Sequence, residues 1–139
     1  MKKVAVIGLG SFGMSLVESL SAKRDIEVMA IDTQIERINE AKDYADQPVA
    51  LDATSKENLV AIGITEVDTV IVCSGPKMEP SILTVHLLKE IGVSHIIAKA
   101  LSEDHEKILR MVGAKEIVFP ERDIAQKMAA QLDSPNLID

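Results

Sequence analysis

Val4-Ala5-Val6-Ile7-Gly8-Leu9-Gly10-Ser11-Phe12-Gly13 lies near the start of the sequence, and Ile31-Asp32 ends nineteen residues past the last of these glycines. Val4–Ile7 is an apolar run without a polar interruption, which is how a strand covered on both faces reads. Gly8 breaks the run, and Phe12, Leu16, Val17 and Leu20 then share one face at helical spacing. The stretch is therefore strand, tight turn, helix. In such a turn Gly8 permits the reversal, Gly10 lets a pyrophosphate approach the backbone, and Gly13 lets the helix lie close to the sheet. The helix N-terminus adds free N–H groups and a partial positive charge for phosphates. Asp32, at the end of a second strand, can accept both hydroxyls of an adenosine ribose. Its carboxylate repels a 2′-phosphate, so an unmodified ribose is expected. That criterion does not separate NAD from ATP, ADP or AMP.

The same alternation continues along the chain. Strands are expected at Lys3–Ile7, Glu27–Ile31, Pro48–Leu51, Thr69–Cys73, His95–Lys99 and Glu116–Phe119, with amphipathic helices between them. Ile108, Leu109 and Val112 mark the buried face of one such helix. This pattern predicts an α/β Rossmann-type fold, a doubly wound parallel six-stranded sheet of order 3-2-1-4-5-6 with helices on both faces. Thr33 with Glu36, and Thr54 with Glu57, have the spacing of capping boxes, and Ser102 before Glu103-Asp104 reads as a third helix start. The last helix is expected over roughly Glu121–Leu132, with Ile124, Met128 and Leu132 forming an apolar stripe. Residues 1–133 read as one nucleotide-binding domain and 134–139 as a polar tail.

Composition narrows the function. A formal charge of −7 and only three aromatic residues, Phe12, Tyr44 and Phe119, argue against nucleic acid, which needs a basic face or a stacking platform. No apolar run approaches the roughly 20 residues that cross a bilayer, so a cytoplasmic protein without direct membrane insertion is expected. The single cysteine, Cys73, excludes an internal disulfide and reads as a buried strand residue. His86, His95 and His105 lack metal-ligand spacing and are expected to be surface or half-buried structural residues.

Further candidates gather at strand ends, where doubly wound sheets bind ligands. Thr33 stands beside Asp32, and Asp52-Ala53-Thr54 borders the place for an adenine, with Thr54 equally explained as a helix cap. Ser74-Gly75-Pro76 is small enough to pass beneath phosphates. Ser74 has neither a partner base nor a nucleophile-elbow pattern. Lys99 closes an apolar strand where a cation would face phosphates, though an ordinary surface lysine fits there too.

Together, Val4–Gly13, Ile31-Asp32, Asp52-Ala53-Thr54, Lys99-Ala100, Gly113-Ala114 and Phe119-Pro120-Glu121 resemble the N-terminal nucleotide-binding domain of bacterial Trk/Ktr-type potassium-uptake regulatory subunits, also called RCK or KTN domains. The likeness covers essentially the whole chain. It implies homodimers assembled into a ring on the cytoplasmic face of a membrane potassium transporter, gated by ATP, ADP or NAD(H). In the Ktr branch an arginine that reaches the γ-phosphate usually stands where this chain has Ser11, so weaker ATP-over-ADP selectivity is implied. By the same likeness, Ser11 and Phe12 belong to the nucleotide loop, and Lys99 falls on a phosphate-contacting lysine. Glu121 falls on an acidic residue that helps hold a divalent cation, magnesium or calcium, between subunits. Full-length regulators carry a second, smaller domain after the last helix, which is expected to be absent or truncated here. The alternative is the cofactor domain of an NAD-dependent oxidoreductase. Such enzymes need an acid or base near the nicotinamide, and no such constellation stands out here. A binding module without catalysis is the expectation.

Overall fold

The computed structural model describes residues 1–73 and 75–133. Six strands, β1 (Lys2–Ile7), β2 (Ile26–Asp32), β3 (Gln47–Ala50), β4 (Thr69–Val72), β5 (Ile96–Lys99) and β6 (Glu116–Val118), form one sheet of order β3-β2-β1-β4-β5-β6. Every pairing is parallel. The expected topology holds, and each strand begins and ends within one residue of its expected place. Helices connect the strands: α1 (Ser11–Ser21), α2 (Ile35–Ala41), α3 (Lys56–Ala61), α4 (Glu79–Ile91), α5 (Glu103–Val112) and α6 (Pro120–Asp133).

Alternation along β1 explains the layers. Val4 and Val6 point into one core with Val17 of α1 and with Ile38 and Ala41 of α2. Ala5 and Ile7 point into the other, with Leu59 of α3, Val85 and Leu88 of α4 and Leu109 of α5. Both faces are therefore covered, and the strands need no polar side. The carboxyl ends of β1, β2, β3 and β4 consequently face one common edge, where their loops meet.

Two helix starts differ from expectation. Helix α2 begins at Ile35 with Gln34 as its N-cap and no side-chain cap bond, and α3 begins at Lys56 with Ser55 accepting the Asn58 N–H. Neither Thr33 nor Thr54 caps a helix. The cause lies in the preceding aspartates. Asp32 Oδ1 accepts the Gln34 N–H at 2.8 Å, and Asp52 Oδ1 accepts the Thr54 N–H at 2.9 Å. These two-residue side-chain turns move each helix start beyond its threonine. Ser102 caps α5 as expected, accepting the His105 N–H at 3.1 Å.

Helix α6 covers the expected span. Among the described residues it buries no side chain, and Ile124, Met128 and Leu132 are 62%, 57% and 73% exposed.

Candidate functional site

The glycine loop is built by two contacts that no side chain would survive. Gly8 has φ +95°, and a Cβ there would lie 2.2 Å from the Cys73 carbonyl oxygen. A Cβ on Gly13 would lie 1.9 Å from the Gly8 carbonyl oxygen. The loop is thus folded onto β4 and beneath the first turn of α1. Gly10 is different: a Cβ there meets nothing within 4 Å, and its φ is −73°. Among the described residues no contact demands a glycine at this position. It leaves an open cradle at the mouth of α1, where Met14 N–H is already bonded to the Gly10 carbonyl at 2.9 Å. The N–H groups of Ser11, Phe12 and Gly13 lack intrahelical acceptors by helix geometry, and they can donate to an anion.

Beside the cradle lies a cleft of about 350 Å³, within the range of small-molecule sites. Its walls include Gly8, Gly10, Asp32, Thr33, Asp52, Ala53, Thr54 and Gly75, which the sequence pointed to. Gln34, Arg37, Cys73, Pro80, Ser81 and Thr84 also line it, and the sequence reading missed them as site residues. Gly13 lies buried beneath Gly8, and Ser11 stands exposed at the start of α1. Phe12 and Lys99 meet one another, with the Lys99 ammonium 5.8 Å from the ring centroid. Lys99 stands at the end of β5, on the same sheet edge as the loop. Ser74 lies outside the described residues. Glu121 is exposed on the first turn of α6 and does not line the cleft.

Asp32 is buried, 7% exposed, at the end of β2. Its Oδ2 accepts the Leu9 N–H at 2.8 Å, so the same carboxylate that faces the cleft also fastens the glycine loop. Arg37 Nη1 stands 3.5 Å from that oxygen. Across the cleft, Thr54 Oγ1 donates to Asp52 Oδ1 at 2.6 Å, and this bond with the Thr54 N–H holds the Asp52 carboxyl below the usual carboxylate range. Thr84 Oγ1 donates to the Ala53 carbonyl at 3.2 Å, tying the β3–α3 loop to α4.

Behind the cleft lies a buried polar chain. Leu101 N–H donates to His105 Nδ1 at 2.9 Å, which leaves Nε2 to carry the proton of a neutral imidazole. That nitrogen is 2.8 Å from Ser81 Oγ, which in turn donates to the Met78 carbonyl at 2.8 Å. His105 is fully buried, not half-buried as expected, and desolvation holds its pKa below the usual value, against a smaller opposing pull from Glu79. The other two histidines match expectation. His86 is exposed, and His95 is half-buried between Thr69 and Glu116. Burial pushes the Cys73 thiol up to about 12, with Lys99 opposing, so it is protonated at neutral pH.

Arg37 was legible in principle. It falls in the first turn of α2, five residues past Asp32, where it can reach back to the same carboxylate. Ser81 and Thr84 stand three apart on an otherwise apolar helix face, but no sequence signal placed that face at the cleft. Among the described residues, no group of three or more His, Cys, Asp or Glu is arranged to hold a metal. No helix there is long and apolar enough to cross a membrane.

Known proteins share this architecture. The family model of the TrkA-N domain matches residues 4–120. The Ktr system potassium uptake protein C of Bacillus subtilis (strain 168) is 43% identical over 138 residues, which cover 99% of this chain and 62% of that protein. The Ktr system potassium uptake protein A of the same organism is 38% identical with the same coverage. The chain thus spans under two thirds of the length of these relatives. The TrkA-N domain of inner membrane protein ybaL from Escherichia coli superposes with a TM-score of 0.80 at 26% identity, covering 94% of this chain and 96% of that one. The GsuK channel bound to NAD shares the fold, with a TM-score of 0.78 at 22% identity over 98% of this chain and 24% of that one. Matched by the family model from the first strand to the start of the last helix, the chain belongs to the TrkA-N domain family.

Proposed function

We propose that this domain binds an adenine nucleotide in the cleft and, as part of a potassium-uptake assembly, passes the nucleotide state to neighbouring subunits without chemical turnover. The observation that carries the reading is Gly10, a glycine that no contact among the described residues requires, set at the mouth of α1 beside the buried Asp32 carboxylate. In this reading the phosphates lie on the first turn of α1, with Gly75 and Lys99 near them. The ribose meets Asp32 and Thr33, and the adenine lies by Asp52, Ala53 and Thr54. The similarity to Ktr potassium uptake proteins supports the transport role, a place on the cytoplasmic face of the membrane, and a membrane transporter as partner.

A regulatory role also suits the chemistry of the walls. The titratable groups lining the described part of the cleft are Asp32, Arg37, Asp52 and Cys73. Asp32 is committed to backbone N–H groups and Cys73 is held protonated. A thiol held protonated is not poised to act as a base at neutral pH. The exposed stripe on α6 is the surface proposed to pack against a second copy, since symmetric dimers are the commonest way to bury one. Glu121, at the start of that helix, is proposed to help hold a divalent cation shared between copies.

Calorimetric titration with ATP, ADP, AMP, NAD and NADH, paired with light scattering of each state, tests the reading. We expect saturable binding, ATP preferred over ADP by less than about tenfold, or roughly 1.4 kcal/mol, because Ser11 offers no charge. We also expect a nucleotide-dependent change in assembly that Glu121→Gln separates from metal. No binding by any of the five, or steady NADH oxidation with a small carbonyl substrate, would contradict it.

A further inference from the structure

Asp32 is met by more donors than reading a ribose would require. Its Oδ2 accepts the Leu9 N–H and its Oδ1 the Gln34 N–H, both at 2.8 Å, and Arg37 Nη1 stands 3.5 Å from Oδ2. An ionised carboxylate offers about four acceptor directions. Two are committed to backbone groups that fix the glycine loop and the start of α2, and releasing either would orphan an N–H. The two that remain are the ones a ribose diol would take, and Arg37 stands over one of them. The arginine is the partner able to move, because its side chain is 42% exposed against 6% for Asp32. Arg37 lines the cleft together with Asp32 and Gln34. Its guanidinium is a planar, bidentate donor of the kind that suits a phosphate.

We propose that Arg37 sets specificity at the ribose 2′ position, so that the cleft takes 2′-phosphorylated adenine nucleotides of the NADP class as well as those with a free diol; this rests on the nucleotide reading above. A bare carboxylate at the end of β2 would repel a 2′-phosphate. Here two backbone N–H groups already spread that charge, and a mobile cation stands beside it. A nearby arginine is the usual means by which this type of fold accommodates the extra phosphate.

The test compares two pairs of probes that differ by one 2′-phosphate: NAD with NADP, and AMP with adenosine 2′,5′-bisphosphate. Each is titrated calorimetrically into the wild type, Arg37→Met and Arg37→Lys, with thermal melting as the check on folding. We expect wild-type NADP affinity within a hundredfold of NAD. In Arg37→Met the affinity of the 2′-phosphorylated member, relative to its partner, should fall at least fivefold in both pairs, and Arg37→Lys should recover part of that loss. A smaller change in the ratio, or wild-type NADP more than a hundredfold weaker than NAD, would overturn the assignment while leaving nucleotide binding intact. Failure of the wild type to bind NAD and AMP at all would remove the nucleotide reading and this inference with it.

Discussion

The three glycines of one motif do three separable things, and only their surroundings distinguish them. Gly8 and Gly13 are fixed by the fold, through carbonyl oxygens that a Cβ would strike. Gly13→Ala should therefore cost about 3 kcal/mol, the upper end for forced overpacking, as measured by urea unfolding. A loss under about 1 kcal/mol would mean that the loop relaxes away from α1. Asp32 likewise has two duties. Asp32→Ala would strip acceptors from the Leu9 and Gln34 N–H groups, so any loss of ligand would be mixed with loss of stability, at about 1–3 kcal/mol for each orphaned donor. Asp32→Asn keeps one of the two acceptors and removes the charge, leaving one backbone N–H facing its amide nitrogen, so its unfolding is measured beside its affinity. It should weaken adenine nucleotides by about 1.5–3 kcal/mol in calorimetry, the range for a charge-assisted hydrogen bond. Unchanged affinity in a folded Asp32→Asn would take the carboxylate out of the proposed site. The motif and its aspartate were legible because their spacing reports backbone geometry. The aspartate's bond to Leu9 was not, because it joins residues twenty-three apart through a loop whose path the sequence does not state.

The helices show where local rules stop. Strand limits followed from apolar runs, but two of three caps fell later than the serine and threonine pattern implied. Asp32 and Asp52 each accept the N–H two residues on, at Gln34 and Thr54, and each helix starts after the side-chain turn so formed. His105 was misread for a related reason: its helix carries charge at Glu103, Asp104, Glu106 and Lys107, so the sequence looks solvated. Only the approach of α4 to α5 buries it against Ser81. Its consequence is a pH dependence. Because the folded-state pKa lies below the usual value near 6.5, the unfolded chain takes up the proton more readily. The stabilising effect is then complete above about pH 6.5 and is lost as pH falls through the folded value. Melting temperature should therefore drop between pH 7.5 and 5.5 more steeply in the wild type than in His105→Gln. Parallel curves would show that the histidine keeps its ordinary titration. One residue along α5, Glu106 accepts from Arg122 Nη1 at 2.9 Å, and Arg122 lies 4.8 Å over Phe119. These contacts tie an otherwise unburied α6 to the body of the domain. Hydrogen exchange of α6 amides should accelerate in Glu106→Gln, while β1 amides stay protected. Equal protection of α6 in both proteins would show that the ion pair does not hold the helix.

At the scale of the whole molecule, sheet order and the two cores were readable because chain alternation and strand parallelism leave few solutions. What α6 packs against was not readable, since a helix apolar on an outward face describes a surface without naming its cover. If a second copy covers it, each of Ile124, Met128 and Leu132 contributes about 1.5–3 kcal/mol on full burial. Met128→Asp should then shift the chain toward monomer in sedimentation, with nucleotide affinity retained. Wild type and Met128→Asp sedimenting alike would leave the stripe without that role. The central claim, that an adenine nucleotide lies on the glycine loop, is tested most directly at Gly10. There the described residues leave open space, so a methyl group meets none of them and is expected to obstruct a bound ligand. Calorimetric titration of wild type and Gly10→Ala with ADP and NAD, beside their melting curves, is the decisive pair of measurements. The account predicts melting temperatures close to one another and affinity at least tenfold weaker in the variant, about 1.4 kcal/mol or more. Equal affinity of two equally stable proteins, or no binding by the wild type, would contradict it.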